Sequence, residues 1–142
     1  MTSPIVVDID PGDPWPDVEL TMMDLLTPLL AGGGTTVTHT DENLAPPCIQ
    51  VQRVGGANDG VTDRAMIQVT CYGTTRATAW ALSREVEQYI LTSPGHAITG
   101  DYVEDVCIDR AETTVAGLQL PYENPDIRTV VSNYRIDFRR PW

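Results

Sequence analysis

Apolar residues recur at steps of three or four in two stretches of the chain, which is typical of amphipathic helices. The first stretch begins after Asp17, whose carboxylate can cap a helix, and runs on to Leu29. Pro28 falls within it and should kink or shorten the helix, because proline lacks the amide hydrogen that a helix interior needs. The glycines at 32–34 then end the first helix.

The second amphipathic stretch is the clearest element of the sequence. Thr74 or Thr75 can cap it, and the Ser-Pro-Gly sequence at 93–95 ends it. Its apolar stripe consists of Ala79, Leu82, Val86 and either Tyr89 or Ile90. We expect this stripe to face a core.

Alternating apolar and polar residues indicate strands at 48–54 and 65–72. The Gly-Gly-Ala-Asn-Asp-Gly sequence at 55–60 separates them and predicts the turn of an antiparallel hairpin. Residues 35–40 are rich in β-branched side chains and predict a further strand, and residues 103–115 predict one broken or bent strand. The sharpest alternation, at 130–139, predicts a closing strand.

The predicted element order is helix, strand, hairpin, helix, strand, strand. Strands with one apolar face need a cover, and two amphipathic helices can supply it. We therefore predict an α+β fold: a mixed, mostly antiparallel sheet with two helices packed on one face. Residues 1–16 contain four prolines and predict an extended N-terminal arm, followed by a single domain at residues 17–142.

Charge narrows the possible functions. The 142 residues carry a net charge of −11, with nine arginines and no lysine, and the first 63 residues hold ten acids against Arg53 alone. Such a surface repels phosphate, which excludes tight nucleic-acid binding but would let DNA pass without sticking. No apolar run approaches the roughly 20 residues of a membrane span, and the start lacks the pattern of a secretory signal. We expect an intracellular, soluble protein.

Motifs for catalysis are missing from the sequence. His39 and His96 are the only histidines, and neither has a nearby cysteine or histidine partner. The glycine-rich stretches lack the residues of a P-loop, of a dinucleotide-binding turn or of a nucleophile elbow. We therefore expect no catalytic and no cofactor-binding residue, and a protein that is not an enzyme.

Metal binding is not expected either. Asp8, Asp10 and Asp13 form an acidic cluster, but prolines interrupt it and the glycine of a calcium loop is replaced by Asp13. Solvated carboxylates are the preferred interpretation. The three cysteines, Cys48, Cys71 and Cys107, form no CxxC pair, and we expect buried free thiols.

The sequence resembles a known family in its final third and its middle. Pro-Tyr-Glu-Asn-Pro-Asp-Ile-Arg at 121–128, running into Tyr-Arg-Ile-Asp-Phe-Arg-Arg at 134–140, resembles tail terminator proteins of siphoviruses infecting actinobacteria. Residues 47–56 and 63–72 also fit that family. The resemblance covers residues 17–140 and leaves out the N-terminal arm.

The resemblance implies a structural virion protein of the tail and neck, assembled in the bacterial cytoplasm. Its members form a homohexameric ring on the finished tail tube, stop tube polymerisation and present a surface to the head connector. The implied partners are further copies of the chain, the tail tube protein and a head–tail connector or stopper protein. DNA would pass through the lumen without specific binding, and no membrane would be involved.

Two other functions remain open at this point. The nearer one is another neck protein of the same virion, a head-closure or head–tail adaptor subunit, because such proteins share the size and charge. The other, from a different class, is a small intracellular enzyme or ligand-binding module. An apolar pocket with convergent polar groups would favour that function, whereas two unlike, complementary faces would favour a ring subunit.

Three places are candidates for contacts with other subunits or with the tube. The predicted hairpin tip could reach a neighbour or the lumen, or be a plain exposed turn. The turn at 121–126 is held rigid by two prolines and could form a contact, or merely close the core. The arginines that end the last strand oppose the acidic first half and suit a head-to-tail contact. The candidate residues are Asn58, Asp59, Tyr122, Glu123, Asn124, Arg128, Arg139 and Arg140.

Overall fold

The computed structural model describes residue 8 and residues 12–30, 33–38, 45–120 and 127–139. It contains two α-helices, a 3₁₀ turn and seven strands. Their bounds are α1 Val18–Leu26, the 3₁₀ turn Thr27–Leu30, β1 Thr35–Val37, β2 Cys48–Asn58, β3 Thr62–Gly73, α2 Arg76–Thr92, β4 Ala97–Ile98, β5 Val106–Cys107, β6 Arg110–Leu120 and β7 Arg128–Arg139.

Helix α1 begins and ends where local chemistry requires. The carboxylate of Asp17 accepts hydrogen bonds from the backbone N–H groups of Glu19 and Leu20, at 2.9 and 3.2 Å, and so caps the first turn. Pro28 lies in the 3₁₀ turn that follows Leu26. The predicted cap and the predicted shortening at this proline are both confirmed.

Five strands form the main sheet in the order β1-β2-β3-β7-β6. Strand β1 is parallel to β2, and every other neighbouring pair is antiparallel. The two-residue strands β4 and β5 form a separate small sheet. The predicted fold class, α+β with a mixed and mostly antiparallel sheet, is confirmed.

Both helices cover the same face of the main sheet. Their buried side chains join one core with the inward positions of β2, β3 and β7, where Tyr134, Ile136 and Phe138 are fully buried. Trp15 packs against this core too, so the described end of the predicted N-terminal arm contacts the domain. The division of the chain at residue 16 stays a prediction.

Helix α2 follows the predicted pattern with one refinement. Thr75 is the cap: its hydroxyl accepts the N–H of Thr78 at 3.1 Å, and the Thr78 hydroxyl accepts the N–H of Thr75 at 3.1 Å. Of the two alternatives at the end of the stripe, Ile90 is buried, whereas Tyr89 is 42% exposed.

The hairpin differs from the prediction in the length of its first strand. Residues 55–58, predicted as turn, continue β2 and pair with β3, with a bulge between Arg53 and Gly55. Gly55 and Gly56 both have positive φ, which lets the strand remain paired through the irregularity. The turn itself is therefore confined to residues 59–61.

The stretch predicted as one bent strand at 103–115 divides into two elements. Residues 103–105 lie in a loop, Val106–Cys107 form β5, and the residues from Arg110 onward belong to the long edge strand β6. Register shifts on either side of Val115 bend β6 against β7. A side chain at Gly117 would meet the ring of Trp80 on α2, so this glycine lets helix and strand pack closely.

Candidate assembly surfaces

The hairpin between β2 and β3 projects beyond the sheet on the side of β1. Strand β1 pairs with β2 only as far as Gln50, and from Gln52 to Asn58 every residue of β2 is exposed. Val54 and Val61 are both more than half exposed near the tip. The tip therefore offers exposed apolar side chains, whereas the edge of β2 at Arg53 donates its backbone N–H to the Glu19 carboxylate at 3.3 Å.

Side-chain hydrogen bonds fix the shape of this tip. The Asp59 Oδ1 atom accepts the N–H groups of Val61 and Thr62 at 2.9 and 2.8 Å, and Asn58 Oδ1 accepts the N–H of Gly60 at 2.8 Å. The two backbone hydrogen bonds to Asp59, first that of Thr62 and then that of Val61, lower the pKa of Asp59, and so does the Arg64 guanidinium at 3.2 Å. Asn58 and Asp59, two of the candidate contact residues, thus also build the turn.

The other candidate residues do not gather at this tip. Arg139 pairs opposite Thr62 and lies at the same end of the sheet, but Arg128 pairs opposite Gly73 at the other end. The eleven steps between the two arginines correspond to roughly 36 Å of strand. Arg128 is exposed. Tyr122, Glu123, Asn124 and Arg140 lie outside the described residues.

The sheet face opposite the helices carries a charged cluster that the sequence analysis missed. In register, Asp137 stands between Arg64 on β3 and Arg110 on β6, and its own strand adds Arg135 and Arg139 on the same face. Arg135 donates to both carboxylate oxygens of Asp137, at 3.0 and 3.1 Å. The register therefore brings four arginines from three strands to the same part of this face as one buried carboxylate, which Arg135 bonds directly.

Acids at the rim complete this cluster. Glu112 lies 3.6 Å from Arg135 and 4.0 Å from Arg110, and Asp109 lies 3.0 Å from Arg139. The alternation of residues in β7 could have revealed part of the cluster, because Arg135, Asp137 and Arg139 alternate there with apolar residues. The partners on β3 and β6 could not be found without the register.

Next to this cluster the same face becomes apolar. Val115 and Leu118 on β6 are about half exposed and stand opposite Asn133 and Val131 of β7. Two neighbouring β6 side chains instead face the helices: Trp80 donates to Gln119 at 3.1 Å, and Thr113 donates to Glu87 at 3.3 Å. This face of the sheet therefore combines an apolar half with an ionic half.

An acidic loop at 99–105 lies on the helix side. The carboxylate of Asp24 on α1 accepts three backbone N–H groups of this loop, from Asp101, Tyr102 and Val103, at 3.1, 2.9 and 2.8 Å. Tyr102 is 55% exposed, and the acids flanking it are exposed as well. Sequence reasoning missed this loop, because Asp24 is separated from it by more than seventy residues.

The cysteines differ from one another, contrary to the prediction that all three are buried. Cys48 and Cys71 are buried, but Cys107 on β5 is exposed. Burial raises the pKa of both buried thiols, that of Cys71 to about 12. Val106 and Ile108 on either side pack on the core, so the side chain of Cys107 points the other way, and this is where the prediction was wrong.

Other chemistry has little support in the part of the chain that the structure describes. There, no three histidine, cysteine or acidic side chains are grouped as metal ligands would be. Asp8, Asp13 and His96 are exposed, whereas Asp10 and His39 lie outside the described residues. Among the helices of the described residues, none has the length and apolar character to cross a membrane.

Comparison with known proteins gives the family. A family model described as phage tail termination protein matches residues 14–142. No protein of curated function matches the sequence. A chain from the virion of a native gene transfer agent particle shares the fold, with a TM-score of 0.50 and 13% identity over 81% of this chain and 84% of that chain. This chain therefore belongs to the phage tail termination protein family, whose members are structural components of virion tails and not enzymes.

Proposed function

We propose that this chain closes the finished tail tube as a homohexameric ring, stops further tube subunits from adding and joins the tail to the head connector. Membership of the tail termination family is the observation that carries the proposal. The two unlike faces of the domain, one ionic and apolar, the other acidic, fit a subunit that contacts its neighbours head to tail. The partners would be further copies, the tail tube protein and a connector or stopper protein.

The net charge of −11 supports a passage for DNA. A ring of such subunits repels the phosphate backbone and would let the genome pass without specific binding. The phage, on the resemblance at 121–128 and 134–140, would be a siphovirus of an actinobacterial host. A head-closure or head–tail adaptor role in the neck remains the second candidate, because such subunits share the size and charge of this chain.

The experiment that separates these roles uses tail tubes assembled from purified tube protein. We expect the chain to bind tube ends, to form rings seen end-on by negative-stain electron microscopy and to stop elongation when tube subunits are added. Phage lacking the chain should produce tails of abnormal length and heads without tails. A chain that binds heads but leaves tube elongation unchanged would be an adaptor and would contradict the proposal.

Three contacts within this function follow from the candidate residues. The hairpin tip with Asn58 and Asp59 would reach a neighbour or the lumen, and Arg128, with Tyr122, Glu123 and Asn124, would contact a second subunit or the tube. Arg139 and Arg140 would meet an acidic neighbour. Since Arg128 and Arg139 lie at opposite ends of β7, they would serve different contacts.

Point variants test these contacts separately. Arg128→Ala and Tyr122→Ala should keep the thermal midpoint of wild type and reduce ring formation on tubes. Shortening the tip at residues 57–60 to a two-residue turn should spare folding and reduce phage assembly. Loss of stability alone in the first pair, or full assembly with the shortened tip, would show that the segment concerned is only structural.

A further inference from the structure

We propose that neighbouring copies of this chain join by placing the outer sheet surface of one copy against the Tyr102 loop of the next. The outer sheet surface is the face opposite the helices, with its ionic half around Asp137 and its apolar half at Val115 and Leu118. The Tyr102 loop is the acidic segment at residues 99–105. The inference rests on the ring proposed above and assigns the surfaces that build it.

The apolar half of the outer sheet surface and the Tyr102 ring face different ways, although Glu104 and Asp105 of the loop line one cavity with Asp109 and Arg139 of the ionic half. Asp24 holds the Tyr102 loop to α1, and α1 packs on the helix-covered face of the sheet. The outer sheet surface faces the other way. A contact between them is heterologous, since it joins unlike patches and leaves the second patch of each copy free for the next one.

Charge favours this pairing over a contact between two acidic surfaces. The described residues include eight arginines and fifteen acids. The four arginines of the ionic half are balanced by Asp109, Glu112 and Asp137 of that half and by Asp59 of the adjoining hairpin tip. The rest of the described residues contain four arginines and eleven acids, and are therefore strongly acidic. Because each copy carries a net charge of −11, a contact in which one side is this neutral surface avoids the repulsion that two acidic surfaces would produce.

The exposed arginines can bond a partner's carboxylates. The side chains of Arg110 and Arg139 are 70% and 76% exposed, and each is near one local acid, at 4.0 and 3.0 Å. A guanidinium has five N–H donors, so donors remain for a second carboxylate. Asp101 and Glu104 of the Tyr102 loop are exposed carboxylates able to accept them.

The apolar half gives the contact a centre. Leu118 is 54% exposed and continues the apolar surface begun by Val115. Tyr102 offers an exposed aromatic ring among the loop's acids, the arrangement expected where a buried anchor is ringed by polar contacts. The apolar and ionic parts of the two surfaces thus match in kind.

Rigidity lowers the cost of this contact. The three hydrogen bonds to Asp24, with those from Gly100 N–H to the Val103 carbonyl at 2.9 Å and from Asp105 N–H to Thr99 at 3.0 Å, hold the loop in one shape. A loop ordered before binding loses little conformational entropy when it docks. The partner surface lies on a three-strand portion of the sheet and is ordered too.

A charge swap tests the ionic half. The variant Arg110→Glu should raise the protein concentration needed for ring formation by about tenfold, because it places like charges together. The control Arg84→Glu, an equal reversal at an exposed position of α2, should change it by less than about twofold. Adding Glu104→Arg to Arg110→Glu should restore most of the loss, and thermal midpoints should confirm that all variants fold.

Cysteine cross-linking tests the geometry directly, in a Cys107→Ser background that removes the exposed native thiol. A tagged Leu118→Cys copy mixed with an untagged Tyr102→Cys copy should form a disulfide-linked dimer under mild oxidation. The control mixture replaces Tyr102→Cys by Leu91→Cys, at an exposed position of α2, and should not.

The outcomes distinguish this inference from the proposed function. Rings that form equally well in Arg110→Glu, or that cross-link no better through Tyr102 than through Leu91, overturn the assigned surfaces and leave the ring intact. Wild-type protein that never forms rings or caps tubes overturns the proposed function itself.

Discussion

The carboxylate of Asp24 fills the space beside Gly100 that a side chain would need, since a Cβ on Gly100 would lie 2.6 Å from Asp24 Oδ1. The same carboxylate accepts the backbone N–H groups of Asp101, Tyr102 and Val103. One side chain therefore joins helix α1 to the Tyr102 loop, because the Asp24 carboxylate accepts backbone N–H groups of the loop.

Removing this carboxylate should release the loop. We expect Asp24→Ala to lower the free energy of unfolding by about 2 kcal/mol, because three backbone donors lose a charged acceptor at a partly exposed site. Amide hydrogen exchange should quicken at residues 101–103, and urea melts would give the stability. Asp101→Ala, which removes an exposed loop acid, is the control and should change stability by less than about 0.5 kcal/mol. Unchanged exchange in Asp24→Ala would contradict the role assigned to Asp24.

Two glycines of the hairpin should differ in their tolerance of alanine. Gly56 has a φ of 123°, and a Cβ there would meet the carbonyl oxygen of Arg64 on the paired strand. Gly60, with a φ of 86°, has nothing within 4 Å of such a Cβ. Gly56→Ala should cost about 2 kcal/mol or more, since backbone atoms must move, and Gly60→Ala about 1 kcal/mol from backbone strain alone. Equal costs in thermal or urea unfolding would show that the close approach is unimportant.

The outer part of the hairpin, next to the turn, contains an ion pair. Arg53 donates two hydrogen bonds to Asp63, at 3.1 and 2.9 Å, and the Asp63 side chain is only 4% exposed. Arg53→Ala should lower stability by about 1–2 kcal/mol, because it leaves a buried carboxylate without its cation while the exposure of Arg53 moderates the loss. The control Arg84→Ala should leave the urea midpoint nearly unchanged. A midpoint for Arg53→Ala equal to that of the control would contradict this account.

Thiol labelling should distinguish the three cysteines. At pH 8 we expect iodoacetamide to modify Cys107 in the native protein, and all three thiols in denaturant, because Cys48 and Cys71 are buried and their raised pKa values keep them protonated. Mass spectrometry of digested protein would locate the label. Rapid native labelling of Cys71 would show that β3 opens readily.

The raised pKa of Cys71 also predicts a pH effect. The unfolded thiol ionises near its ordinary value of 9.0, whereas the folded one stays neutral until about 12. Stability should therefore fall as the pH rises from about 9, and Cys71→Ala should weaken that dependence. An identical slope in the variant would contradict the assignment.

Local chemistry explains what the sequence could predict. The capping residues Asp17 and Thr75 lie next to the helices they start, and the apolar stripe of α2 needs only the helical period to be recognised. The alternation of β7 likewise reflects a strand with one buried face. Features set by neighbouring residues were therefore found.

Features that depend on contacts between distant residues were not predicted from the sequence. The extension of β2 through Gly55 and Gly56 depends on pairing with β3, and glycines alone predict a turn. The cluster around Asp137 requires the register of three strands, and the link from Asp24 to the Tyr102 loop requires the packing of α1. For Cys107, exposure follows from its position between Val106 and Ile108, which take the inward places, and which of the two faces lies inward depends on the packing of the short β4–β5 pair.

The irregularities of β6 affect whether copies of this chain can polymerise through their sheet edges. Among the described residues β6 lies at the margin of the sheet, where a straight strand could pair with the same strand of another copy and begin an unlimited fibre. The register shifts on either side of Val115 interrupt the row of backbone donors and acceptors that such a fibre would require. If the chain caps the tail tube as proposed, these interruptions hinder it from also polymerising with itself through this edge.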